Sequence, residues 1–141
     1  MQMKQGLLCG SVFLALLLLG CFMNFHGDGA AREARLNEVY ATIQHPADAV
    51  CRSCRMGHKN QERWVDGVYR YAETPEQVAA YYAAELRREG WTPVRYDVGY
   101  GQPFYAYSKD ELLLLTGLHK NNDWTVTLSY RDPKKTYVPL E

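Results

Sequence analysis

The sequence predicts an α+β fold: an N-terminal hydrophobic helix, then a two-layer domain with one or two helices packed on an antiparallel sheet of about four strands. Three observations carry this. Apolar residues recur at helical spacing in two stretches, 31–44 and 75–89. Strand-like alternation fills much of the C-terminal half, most clearly over 123–130. An uncharged run over 6–25 opens the chain.

That run has a continuously apolar centre from Val12 to Leu19. Twenty helical residues at about 1.5 Å each make roughly 30 Å, the hydrocarbon thickness of a bilayer. Lys4 precedes the run, whereas Asp28, Arg32, Glu33 and Arg35 follow it with mixed sign. The weak bias leaves the N-terminus cytoplasmic and the domain on the extracytoplasmic side, periplasmic or outer-surface. A basic start with an apolar run also describes a secretory signal, so a released form is an alternative. Leu18-Leu19-Gly20-Cys21 resembles the lipobox of bacterial lipoproteins. That resemblance implies acylation of Cys21 and cleavage before it. Leu19 stands where a small residue is usual, and Phe22-Met23-Asn24-Phe25 prolongs the apolar run. Both departures favour an uncleaved transmembrane anchor over 1–28.

The remaining chain reads as one domain over 29–133 with a flexible tail over 134–141. Leu36, Val39, Tyr40 and Ile43 make one apolar stripe, so a helix is expected over 31–44, stopped by Pro46. The polar stretch 45–62 lacks a period and reads as a loop. Val68 to Ala72 reads as a strand. Thr74-Pro75-Glu76-Gln77 then supplies an N-cap, a proline at N1 and the reciprocal partner of a capping box. Val78, Tyr82 and Leu86 form the apolar face of that second helix, and Gly90 supplies its left-handed stop. Strands are expected over 91–96, 104–108, 111–117 and 123–130, the last two joined around Lys120-Asn121-Asn122-Asp123. In the last strand Trp124, Val126, Leu128 and Tyr130 face one way and Thr125, Thr127 and Ser129 the other.

The pattern Thr74-Pro75-Glu76-Gln77-Val78-Ala79-Ala80-Tyr81-Tyr82, with Glu85-Leu86 and Gly90-Trp91, resembles small bacterial exported or membrane-anchored domains without an assigned activity. The resemblance spans Tyr69 to Tyr130. It implies a helix-on-sheet domain outside a membrane, and it brings no catalytic residues.

Sixteen basic and sixteen acidic residues cancel and are scattered, which argues against nucleic acid as a partner. The chain carries no phosphate-cradling glycine loop and no Ser/His/Asp or paired-carboxylate spacing, so no catalytic residue and no cofactor is assigned. Cys51-Arg52-Ser53-Cys54 is the one constellation with chemistry. Its leading reading is a disulfide formed on export. Thiol–disulfide redox work is an alternative, with Arg52 and Arg55 favouring the thiolate. A soft metal held by Cys51, Cys54 and His58, with His45 or His119 as a distant fourth ligand, lacks the second ligand pair of a closed site. Arg55 after the second cysteine argues against haem attachment. Eleven tyrosines suit half-buried sheet surfaces. Tyr96, Tyr100, Tyr105 and Tyr107, around a Gly/Pro turn, form the expected binding patch. The functional expectation is a membrane-tethered, non-enzymatic binding or structural module of the cell envelope, its partner another envelope protein or a peptide.

Overall fold

The computed structural model describes residues 28–95 and 104–141. The expected membrane segment over 6–25, Cys21, Tyr96 and Tyr100 lie outside the described residues. Among those described, no helix is long and apolar enough to cross a membrane.

A first helix, α1, occupies 28–42, so it starts and ends slightly earlier than its apolar stripe. Leu36 and, just past the helix, Ile43 are buried in the core, with Val39 and Tyr40 packed against them. The expected loop over 45–62 is mostly a strand, β1, over Val50–Lys59. It escapes a periodicity reading because it is an edge strand exposed along most of its length, and because its register shifts between Cys51 and Ser53. A tight turn with Asn60 in the left-handed region, φ 55°, leads into β2 over Glu62–Arg70.

The helix α2 spans Pro75–Arg88 with the expected capping box: Gln77 N–H donates to the Thr74 hydroxyl, and Thr74 N–H to the Gln77 side chain. Its far end closes on Gly90 at φ 84°. Gly90 N–H reaches the Arg87 carbonyl and Trp91 N–H the Leu86 carbonyl, the two bonds of a Schellman stop. The remaining strands are β3 over Thr92–Arg95, β4 over Phe104–Lys109, β5 over Leu112–Leu118, β6 over Trp124–Tyr130 and β7 over Val138–Pro139. Between β5 and β6 a short 3-10 turn over Lys120–Asn122 carries Asn121 and Asn122 at φ 62° and 60°.

All pairings are antiparallel, in one seven-stranded sheet of order β1-β2-β6-β5-β4-β3-β7, where about four strands were expected. The chain leaves β2, crosses the sheet as α2, enters β3 on the far side and meanders back until β6 pairs with β2. That path lays α2 over one sheet face, where Val78, Tyr82 and Leu86 meet Leu112, Leu114, Trp124, Val126 and Leu128. The alternation expected in β6 is observed there, although Thr125 on the other face is also buried. A smaller cluster on the second face joins Val94, Ala106 and Leu113 with Tyr137 and Leu115. The tail expected to be flexible is therefore docked. Val138–Pro139 pairs with β3, and Leu140 N–H donates to the Pro93 carbonyl.

Register fixes where the chemistry sits. In a regular strand residues three apart point to opposite faces, yet Cys51 pairs with Tyr69 and Cys54 with Gly67, two positions of one face. The bulge at Arg52 supplies the extra residue that brings both cysteines to the helix-covered face. Gly67 leaves room there. A Cβ at this position would collide with the Tyr40 hydroxyl and lie 2.6 Å from Cε2 of Tyr69. Gly67→Ala is therefore expected to destabilise the fold by about 1–3 kcal/mol in urea unfolding, since overpacking must displace one of the two rings. Thr74→Ala, which removes only the cap of α2, should cost about 1 kcal/mol in the same measurement.

Candidate functional site

Five side chains converge between the helices and β2: Tyr40 from α1, His45 from the connection after it, Tyr69 from the end of β2, Tyr71 just past that end, and Tyr82 from α2. Strand alternation puts Tyr69 and Tyr71 on one face, and the helical stripes of α1 and α2 bring Tyr40 and Tyr82 down onto it. Two hydrogen-bonded groups result. The hydroxyls of Tyr40 and Tyr69 are 2.9 Å apart, and Tyr40 donates to the Val126 carbonyl at 3.3 Å. The Tyr82 hydroxyl lies 2.6 Å from His45 Nδ1 and 2.6 Å from the Tyr71 hydroxyl. Because it holds a single proton, Tyr82 donates to one of these neighbours and accepts from the other. The His45 ring stacks on Tyr69 with centroids 4.2 Å apart, bringing the two groups together.

Burial dominates the electrostatics of this seam. It pushes the hydroxyls of Tyr40, Tyr71 and Tyr82 far above the ordinary phenol range, so all three stay protonated. The same desolvation pushes His45 down to about 4, leaving a neutral imidazole at pH 7. Neutral donors and acceptors of this kind hold structure or a ligand. They are not poised for proton transfer near neutrality.

The seam opens at two places. On the edge-strand side lies the Cys51–Cys54 disulfide, both of its residues exposed, with Cα atoms 6.5 Å apart. Its Cys54 Sγ is 3.5 Å from the Tyr69 hydroxyl. A bridged sulfur carries no proton, so Tyr69 is the donor in that contact. On the other side Tyr71 forms part of a cleft of about 300 Å³ at the N-terminal end of α2, walled by Pro75, Val78, Leu118 and Trp124 and rimmed by Glu73 and Asn122. Trp124, itself 3% exposed, stacks near-parallel to Tyr82. Its indole N–H finds no acceptor among the described residues.

The expected sites fall out unevenly. Cys51 and Cys54 are joined as a disulfide in a strand, not a loop. The metal set is not assembled: His58 pairs with Arg63 four residues along β1 from Cys54, and His45 is committed to Tyr69 and Tyr82. Among the described residues no three His, Cys, Asp or Glu side chains gather as a metal site. Of the tyrosine patch, Tyr105 is 47% exposed and stacks on Trp124 with centroids 6.4 Å apart, while Tyr107 is 3% exposed within the core. Sequence reasoning missed Tyr40, His45, Tyr69, Tyr71 and Tyr82 as a unit. Their spacing marks each as an apolar-face residue, and nothing in the order of the chain says that their hydroxyls meet.

Comparison of the chain with protein-family models, curated proteins and solved structures finds no match in any of the three.

Two outcomes test the seam. Tyr82→Phe strands His45 and Tyr71 without their shared partner and should cost about 1–3 kcal/mol in chemical unfolding. The second concerns pH. His45 binds a proton near 6.5 when unfolded and only near 4 when folded, so the unfolded chain holds more protons between these values. Stability from this residue is present above about pH 6.5 and lost as pH falls towards 4. Melting temperature measured from pH 7 to 4 should therefore drop less steeply in His45→Gln than in the parent protein.

Proposed function

We propose that the chain is a membrane-tethered extracytoplasmic module whose cleft binds a partner of the cell envelope and carries out no chemistry on it. The cleft beside Tyr71 and Trp124 carries the reading: it sets the apolar side chains of Pro75, Val78 and Leu118 beside the Glu73 carboxylate and the Asn122 amide. Polar groups set beside apolar side chains in a concave site are what a binding pocket needs. A segment with a small apolar side chain and backbone amides for Glu73 and Asn122 suits that lining, so an envelope protein or peptide is the partner class.

The placement of α1 supports the tethered arrangement. Its first turns lie against the opposite end of the sheet, where Glu33 pairs with Arg63 at 2.8 Å and the Tyr130 hydroxyl donates to the Arg32 carbonyl. From Tyr130 to Trp124, β6 runs roughly 20 Å at strand rise. An anchor over 6–25 entering at α1 would leave the cleft facing away from the bilayer.

A photo-reactive amino acid in place of Asn122, at the cleft rim, tests this in cells producing the full-length chain. The expected result is a discrete adduct that is absent when the probe replaces exposed Asn37 on α1. Adding Leu118→Asp to the wall should weaken that adduct about tenfold, as expected for a buried charge in an apolar contact. No adduct at Asn122, or one indifferent to Leu118, rejects the cleft. Recovery of the chain in the soluble fraction with residues 6–25 intact rejects the tether.

A further inference from the structure

A disulfide that only staples a loop has no need of a designed surrounding, but Cys51–Cys54 has one. It spans the one register shift of β1, and without the extra residue at Arg52 its two sulfurs would point to opposite faces. Both cysteines are exposed on β1, which has no strand on its outer side among the described residues, so a second protein can approach it. The two sulfurs are also unequal, because Cys54 Sγ alone has the Tyr69 hydroxyl at 3.5 Å.

The hydroxyl network behind Cys54 suits the reduced state as well as the oxidised one. In the disulfide, the single Tyr69 proton is shared between Cys54 Sγ and the Tyr40 oxygen, and Tyr40 passes its own to the Val126 carbonyl. After reduction a Cys54 thiolate takes the Tyr69 proton as a charge-assisted bond. A Cys54 thiol would instead donate to Tyr69, which then donates to Tyr40. Each state leaves the buried phenols with partners, so the core need not unfold for the sulfur to change.

We infer that Cys51–Cys54 is an exchangeable disulfide, reduced by a dithiol of a partner protein, with Cys51 the sulfur attacked and Cys54 the sulfur released. A donor thiolate attacks Cys51 Sγ, forming a mixed disulfide as the Cys51–Cys54 bond breaks and its electron pair leaves on Cys54. Tyr69 donates to that thiolate. The donor's second thiolate then displaces Cys51 Sγ, leaving the donor as a disulfide. Two electrons pass from the donor dithiol to this chain, while the protons the donor thiols lose go to solvent, from which Cys51 takes its own. Tyr69 is a positioning residue for the leaving sulfur. This activity is independent of the cleft, so either proposal can fail alone.

The test equilibrates the full-length protein in detergent with mixtures of reduced and oxidised glutathione. Alkylation is read at Cys51 and Cys54 by peptide mass, and tryptophan fluorescence reports the fold. The expected result is reversible reduction within the glutathione range with the fluorescence of the folded state retained. Tyr69→Phe should move the equilibrium about three- to tenfold towards the disulfide, the scale of one hydrogen bond to a charged sulfur. Cys54→Ser should retain glutathione on Cys51, whereas Cys51→Ser should retain little on Cys54. Should Tyr69→Phe not fold, the rate of Cys54 alkylation against pH in Cys51→Ser gives the same information. A midpoint below the free-cysteine value of about 8.5 supports the inference, and one at or above it opposes it. A disulfide that survives excess reduced glutathione until the protein melts overturns the proposal, as does equal trapping on the two cysteines.

Discussion

A phenol can be buried cheaply only while its hydroxyl keeps a partner, and this domain buries several where its two layers meet. Tyr82 sits at the centre of α2 with no solvent exposure, and Tyr40 projects from α1 onto the same face of the sheet. Neither helix can slide or rotate without separating a hydroxyl from His45, Tyr69, Tyr71 or the Val126 carbonyl. Apolar packing by Leu36, Val78 and Leu86 supplies most of the burial, but it is tolerant of small shifts. Directional bonds to fixed acceptors are not. The helix layer therefore takes its position from these polar atoms, and the missing side chain at Gly67 is the space in which the Tyr40 and Tyr69 hydroxyls meet.

Those same atoms connect surfaces that would otherwise be separate. Tyr71 forms part of the cleft wall and shares Tyr82 with His45, while His45 stacks on the tyrosine that touches Cys54. The path from cleft to disulfide runs through side chains in direct contact, and each hydroxyl has only one proton to give. Within each hydrogen-bonded group a change of donor direction must be matched by the neighbouring hydroxyl, whereas the His45–Tyr69 stack joins the two groups by packing alone. The seam is thus a structural clamp with both ends reaching the surface.

The parts legible from sequence were those that depend on local chemistry. The capping box at Thr74, the stop at Gly90 and the alternation of Trp124, Val126 and Leu128 each announce themselves over a few residues, and each stands in the structure as expected. The strand β1 did not announce itself, because its exposed edge position removes the apolar alternation and the extra residue at Arg52 breaks the count. For β7 the signal was only two residues long and included a proline. The pairing of Cys51 with Cys54 is legible from spacing, whereas its placement against Tyr69 is set by register with β2, which starts six residues before the strand expected from Val68. Tyr107 shows the limit from the other side: its residue type fits a surface patch, and only the crossover of α2 puts it in the core.

The kink at Arg52 has a further consequence for how copies of this molecule behave when crowded. Among the described residues the seven-stranded antiparallel sheet ends in two strands that each have one side without a neighbouring strand, and two such edges can zip molecules side by side into polymers. Here one terminus is ten residues long but bent and cross-braced, and it bristles with Arg52, Arg55 and Lys59. The other is cut to two residues and carries Pro139, which has no amide to offer. Neither border presents a straight, neutral template, so the architecture guards against lateral self-assembly at high local concentration, the condition that a shared membrane surface would impose.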